Sequence, residues 1–259
     1  MEFIDTHAHI SLFALPHKRQ RLIEKAKKVG VKTIIEVGIN LESSSIALEL
    51  AKKNDAIFAS CGIHPNDGKE DLEMIDWEEK LTTLVQQPKV VAVGECGLDY
   101  YRSSNNKKEQ QILFVKQLEL ANKFNLPVII HCRNAWSDLF SILSSFPQTR
   151  GIFHCWSGSY KDAEKAVDYN FLFGFGGLIT YPNTDKILEV AVNLPIWRIV
   201  LETDSPFLIP YQLKSKGNKN EPANIAYVAQ FLASLRSMRI GELATATTAN
   251  AKRLFLINK

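Results

Sequence analysis

The sequence lacks most of the features that other common chemistries need. It has four cysteines, Cys61, Cys96, Cys132 and Cys155, and no CxxC pair. That disfavours a structural zinc knuckle and leaves four free, reduced thiols of the kind expected in a cytoplasmic protein. No run of about 18 apolar residues is present to span a bilayer as a helix, and the first residues enter a strand pattern without a signal-peptide signature. No GxSxG elbow, phosphate-binding P-loop or GxGxxG after a strand occurs. Gly174-Phe175-Gly176-Gly177 lacks the dinucleotide spacing and reads as close packing or a loop at a strand exit. The net charge of +3 is too small to argue for nucleic acid by itself. No linker, repeat or low-complexity tract divides the 259 residues, so one domain spanning 1–259 is expected.

What is present is a strict alternation of strand and helix patterns. Strands are expected near Glu2–Asp5, Lys32–Val37, Ile57–Cys61, Val90–Gly94, Val128–His131, Gly151–His154, Phe171–Phe175 and Arg198–Glu202. Amphipathic segments between them include Arg19–Val29, Ser43–Lys53, Lys107–Phe124, Asp138–Phe146, Tyr160–Tyr169 and Thr184–Val192. Two more helices, Pro222–Ser237 and Gly241–Phe255, close the chain, after a proline-rich and basic loop from Pro206 to Asn220. Repeated right-handed βαβ units imply a parallel sheet, and eight of them close into a (β/α)8 TIM barrel with its site at the C-terminal face of the strands.

Metal-ligand side chains stand where these strands end. The first strand leads into Asp5-Thr6-His7-Ala8-His9, the third reaches His64, and the next three stop at Glu95, His131 and His154; the last runs into Glu202-Thr203-Asp204. His7 and His9, two apart on extended chain, project to one side and can grip one ion. Asp5 shares that side and is a candidate to orient an imidazole, with a buried polar residue inside the barrel the equal alternative; Glu202 is a candidate to tune a ligand. A lone HxH motif is a weak signal. Five of six histidines at strand exits in apolar contexts are a strong one, because burying so many titratable groups together without cations is costly. His17 is the exception, expected in solvent at a helix entry. The donors exceed what one tetrahedral site needs, and Glu95 can bridge two ions about 3.5–4 Å apart. Mixed imidazole and carboxylate donors favour zinc or manganese, with magnesium possible. Cys96, Cys132 and Cys155 each follow a ligand and are expected to point away from it, into the helix layer.

These motifs resemble the TatD family of metal-dependent hydrolases and deoxyribonucleases, within the amidohydrolase-like barrels. The resemblance covers nearly the whole chain. It rests on Asp5-Thr6-His7-Ala8-His9, Gly62-Ile63-His64-Pro65, Gly94-Glu95-Cys96-Gly97-Leu98-Asp99-Tyr100, His131-Cys132-Arg133-Asn134-Ala135, His154-Cys155-Trp156-Ser157-Gly158-Ser159, Glu202-Thr203-Asp204-Ser205-Pro206 and Asn220-Glu221-Pro222. It implies that His7, His9, Glu95 and Asp204 hold one ion and that Glu95, His131 and His154 hold the other. Lys219 stands where the family often has arginine, keeping the charge but losing the planar fork.

The function expected is hydrolysis of DNA phosphodiester bonds, exonucleolytic, by water activated between two metal ions. Asp204 is the candidate proton acceptor, the alternative being a ligand only with bulk solvent taking the proton, and His64 is a candidate donor to a phosphate oxygen or the leaving group, the alternative being a loop-fixing hydrogen bond beside Pro65. Arg133 and Lys219 are candidate phosphate contacts, and Lys214 and Lys216 can follow a backbone. Trp156, Tyr100 and Tyr101 are candidates for stacking on bases, with packing the simpler explanation. DNA or another phosphoester is the expected partner, with no membrane or obligate protein partner. Two other readings remain open. One is a barrel hydrolase acting on a carboxylic ester, lactone or amide. The other is a non-catalytic nucleic-acid or partner-binding protein with a structural metal, disfavoured because structural ligands are usually compact in sequence.

Overall fold

The computed structural model describes residues 1–13, 15–67, 72–102, 105–215 and 219–257. Eight parallel strands follow one another in chain order around a single sheet: β1 (Phe3–Ala8), β2 (Val31–Val37), β3 (Ile57–Cys61), β4 (Val90–Asp99), β5 (Val128–Arg133), β6 (Arg150–Phe153), β7 (Asn170–Phe175) and β8 (Ile199–Leu201). The ring closes just beyond β8. Ala8 bridges Ser205, His9 N–H donates to Ser205 O at 2.7 Å, and Asp204 N–H donates to His7 O at 2.9 Å. The first and last ligand-bearing segments are thus stitched to each other, which completes the TIM barrel.

Helices fill the connections: α1 (Pro16–Lys28), α2 (Leu41–Lys53), α3 (Trp77–Val85), α4 (Lys107–Lys123), α5 (Trp136–Leu143), α6 (Tyr160–Val167) and α7 (Asp185–Asn193), then α8 (Ile225–Leu235) and α9 (Ile240–Phe255). Local chemistry sets their starts. Asn40 accepts from Ser43 N–H at 2.8 Å ahead of α2, and Ser159 and Asp162 form a reciprocal capping box ahead of α6. The helix expected from Pro222 begins with a 3-10 turn, Pro222–Asn224, and becomes α-helical at Ile225.

Two apolar clusters separate along the strands. The larger packs the outer strand faces, such as Ile130, Phe153 and Phe173, on the helices. The smaller holds Ile4, Ile35, Ala92, Ile129, Ile152, Leu172 and Val200 with Leu254 and Phe255 of α9. Alternation of side chains then fixes the next inward layer. Two residues past Ile129, Ile152 and Val200 come His131, His154 and Glu202.

On β1 and β4 the spacing is three, from Ile4 to His7 and from Ala92 to Glu95. Register shifts between Asp5 and Ala8 and between Val93 and Cys96 supply the change of phase. Gly94 permits the second one: its φ is +142°, and a Cβ there would lie 2.6 Å from Ile129 O. β4 does not stop at the expected Gly94 but runs on to Asp99.

Candidate metal centre

The mouth of the barrel is a cavity of about 560 Å³, lined by His9, His64, Glu95, His131, His154 and Asp204 among others. All six are at least partly buried. Glu95 stands at the centre, and its two oxygens face different partners. Oε2 lies 3.3 Å from His7 Nε2 and 3.7 Å from His9 Nε2. Oε1 lies 3.0 Å from His131 Nδ1 and 3.8 Å from both His154 Nε2 and His64 Nε2. Asp204 joins the first group, with Oδ1 3.5 Å from His9 Nε2 and 3.9 Å from His7 Nε2. Asp204 sits in the left-handed region at φ +57°, a conformation that aspartate tolerates better than most residues.

The far nitrogens of three rings explain why these atoms converge. His9 Nδ1 is 2.8 Å from Val37 O, His131 Nε2 is 3.2 Å from Asp99 Oδ2, and His154 Nδ1 is 3.0 Å from Glu202 Oε1. A carbonyl or carboxylate can only accept, so His9 Nδ1 and His131 Nε2 carry the proton, while His154 Nδ1 faces Glu202 at ion-pair distance. The opposite nitrogen of each neutral ring then presents a lone pair to Glu95, which is itself an acceptor. Lone pairs facing lone pairs at 3–4 Å require either added protons or a cation between them. The same pattern of carboxylate or carbonyl, histidine and open lone pair is how proteins orient metal-binding imidazoles. The residues therefore fit divalent metal ions.

Electrostatics without metal follow the same geometry. Burial alone would depress His9 and His154, but Asp204 and Glu95 lift His9 to about 9, and Glu202 and Glu95 lift His154 to about 10. His7, for which burial dominates, falls to about 4. Glu95 stays ionised against burial because the surrounding imidazoles hold its carboxyl well below the usual range.

Glu202 lies where the sequence suggested, against His154, and also accepts Cys155 N–H at 2.7 Å. Gly174 of β7 and Gly176 just after it make its space: a Cβ on Gly174 would sit 2.3 Å from Glu202 Oε2. Of the two readings of Asp5, its contacts favour the buried polar residue: among the described residues no hydrogen bond or ion pair joins it to an imidazole ring, and it accepts from Thr203 N–H at 2.9 Å, Thr203 Oγ1 at 2.6 Å and His7 N–H at 3.3 Å. It orients the backbone of both ligand segments, and burial raises its carboxyl to about 8.

Three acids have roles the sequence reading did not assign. Asp99, four residues past Glu95 on the extended β4, holds His131. Glu36 accepts Ile10 N–H at 2.8 Å and Ser11 N–H at 2.6 Å, fixing the turn after His9. Asp67 Oδ2 is 2.5 Å from His64 Nδ1. For Asp99 the signal was present in the Gly94–Tyr100 motif. For Glu36 and Asp67 no sequence pattern pointed to the site.

Other expectations shift. Trp156 is 1% exposed and packs on Trp136, Phe153 and Phe173, so it is core and not a base platform. Tyr100 is half-buried, its hydroxyl 2.8 Å from Asp138 Oδ2. Cys61, Cys96 and Cys132 are buried in the helix-facing cluster. Cys155 is turned by a φ of +44° and lines the mouth, where Cys132 also reaches the lining. Arg133 also lines the mouth, whereas Lys219 lies outside that lining with its ammonium 5.8 Å from the Phe13 ring centre. Lys214 stands over Tyr181, Lys216 falls outside the described residues, and His17 is exposed. Among the described residues no helix is long and apolar enough to cross a membrane.

Barrel and site together define a metal-dependent hydrolase of the (β/α)8 class. Comparison with known proteins narrows this: residues 4–256 match the model of the TatD related DNase family, and the chain belongs to that family. It is 39% identical over 260 residues to an uncharacterized metal-dependent hydrolase of Bacillus subtilis strain 168, YabD, covering 98% of this chain and 99% of that one. It is 31% identical over 246 residues to the 3'-5' ssDNA/RNA exonuclease TatD of Shigella flexneri serotype 5b, with 92% of each covered. The crystal structure of YJJV, a TatD homolog from Escherichia coli K12, superposes with a TM-score of 0.91 at 33% identity over 98% of both chains.

Proposed function

We propose that this hydrolase cleaves phosphodiester bonds of DNA, as an exonuclease, with two divalent ions held on either side of Glu95. The division of the Glu95 carboxylate between two donor sets carries this reading. His7, His9, Glu95 Oε2 and Asp204 make one compartment; Glu95 Oε1, His131 and His154 make the other. His64 reaches the second compartment too, since His64, Glu95 and His131 place donor atoms within 4.8 Å of one another. The exonuclease named among the relatives supports the substrate class. The imidazole-rich donors suit zinc or manganese better than magnesium, and four free cysteines suit the cytoplasm.

Bound ions would activate water and neutralise charge on the phosphoryl oxygens. The chain's own groups do the rest. Asp204, at the edge of the first compartment, takes the proton released from water. Asp67 Oδ2 lies against His64 Nδ1 and orients the ring, so that Nε2 faces the cavity and can donate to a phosphate oxygen or the leaving group. Arg133 offers a planar fork to phosphate from the rim. Replacing Glu95 with alanine should lower metal content and turnover of end-labelled single-stranded DNA together. Wild-type values of both would end the bridging role. Turnover of carboxylic esters or lactones in place of DNA would favour the other hydrolase reading.

A further inference from the structure

We infer that the mouth is polarised, and that Arg102 and Arg133 form a subsite for a second phosphate of the substrate, next to the one being cleaved. This rests on the phosphodiester reading and assigns direction and specificity within it. Both arginines are exposed and line the cavity. Among the described residues neither has a carboxylate within ion-pair distance, in a chain where Lys25, Lys80 and Arg239 all do.

Their placement is built. Arg133 sits over the Tyr101 ring, its Cζ 3.7 Å from the ring centre. Tyr101 and Arg102 are consecutive, and both of their N–H groups donate to Asp99 Oδ1 at 2.9 Å. The other oxygen of Asp99 faces His131. One buried carboxylate therefore references the arginine-bearing turn to a candidate metal ligand. Tyr101 serves as a pedestal: the guanidinium rests over its face and so loses less freedom on binding an anion. This replaces the base-stacking role expected for Tyr101.

Across the barrel the lip is apolar. Leu178, Phe207 and Leu208 line it at the exits of β7 and β8, and Phe207 is 49% exposed, its ring centre 5.9 Å from that of His9. A nucleoside has a flat apolar face and a nucleic acid strand has repeated phosphates. The terminal nucleoside accordingly rests on the β7–β8 lip, and the chain leaves over β4 and β5, where forked guanidinium groups match its next phosphate.

The test compares two substrates on the manganese-loaded protein: a short oligothymidylate, and bis(4-nitrophenyl) phosphate, which has one phosphate only. R102A should raise KM for the oligothymidylate about tenfold more than KM for the single-phosphate diester. R102K, which keeps charge without the fork, should fall between. Y101A should raise the oligothymidylate KM several-fold, and Y101F should restore it. The salt slope of oligothymidylate binding should lose about 0.7 in R102A. Equal changes on both substrates, or none, would overturn the subsite. Should wild-type protein hydrolyse neither substrate, the phosphodiester reading fails instead. Equilibrium binding of the oligothymidylate to wild type and R102A then still decides the subsite, unchanged affinity and slope refuting it.

Discussion

Asp99→Asn is a nearly isosteric change whose consequence follows from proton positions. Asp99 Oδ1 accepts two backbone N–H groups, from Tyr101 and Arg102, each at 2.9 Å. In the asparagine variant the amide oxygen must stay there, because the amide nitrogen cannot accept. The NH2 group is then left 3.2 Å from His131 Nε2, where the carboxylate had been. That nitrogen becomes an acceptor, so the imidazole proton moves to Nδ1, 3.0 Å from Glu95 Oε1. His131 keeps its place but loses the lone pair it would offer to an ion. Loss of an orienting partner of this kind typically costs 10–100-fold in metal affinity or activity, about 1.4–2.7 kcal/mol. Folding should change by no more than about 1 kcal/mol, since the turn keeps its hydrogen bonds. Isothermal titration with manganese, with elemental analysis at limiting metal, should show one site weakened and the other near wild type. Two sites of wild-type affinity in D99N would refute the tautomer argument.

Three more outcomes are expected. Metal-free protein holds protons on His9 and His154, whose values of about 9 and 10 exceed the unfolded value of about 6.5. Raised imidazole values add stability fully present below pH 6.5 and lost as pH climbs through 9 to 10. Thermal unfolding of chelator-treated protein should therefore weaken from pH 7 to 10 more steeply than that of metal-loaded protein; parallel curves would contradict this. Gly174→Ala places a Cβ 2.3 Å from Glu202 Oε2 and should push that carboxylate off His154, lowering metal affinity about 10–100-fold in a titration. Unaltered affinity would show that Glu202 does not matter to His154. Trp156→Ala should cost about 3–5 kcal/mol in denaturant unfolding, as for other large aromatic core residues; a raised KM without lost stability would mark it as a base platform after all.

Much of the molecule was legible in order along the chain. Eight short strands alternating with amphipathic helices indicate a barrel, and five of them, β1, β4, β5, β6 and β8, carry ligands in their second halves or just after their last residues. His131 and His154 could be read this way because plain alternation from Ile129 and Ile152 carries them inward. His7 and Glu95 were recognised by chemistry, although alternation alone would have turned them outward; register shifts correct their phase. Asp99 was hidden for a related reason. β4 was expected to end at Gly94, yet it continues, and only a strand that continues brings an acid four residues past Glu95 back beside a neighbouring strand's histidine. Trp156 lies in the same motif as a ligand and still belongs to the core, because Cys155 turns the chain between them.

What the sequence alone determined is the inventory: the kinds of donor, their position at strand exits, and the closed parallel fold that follows from eight βα units. Tertiary structure decided their arrangement. It divides Glu95 between two groups of imidazoles, sets the protons of His9 and His131 through Val37 and Asp99, stands Glu202 against His154, moves Lys219 out of the mouth and brings in Arg102. The physical reason is range. Strand and helix patterns arise from neighbours a few residues apart, whereas a lone pair's direction depends on an acceptor that may lie 48 residues away, as Glu202 does from His154.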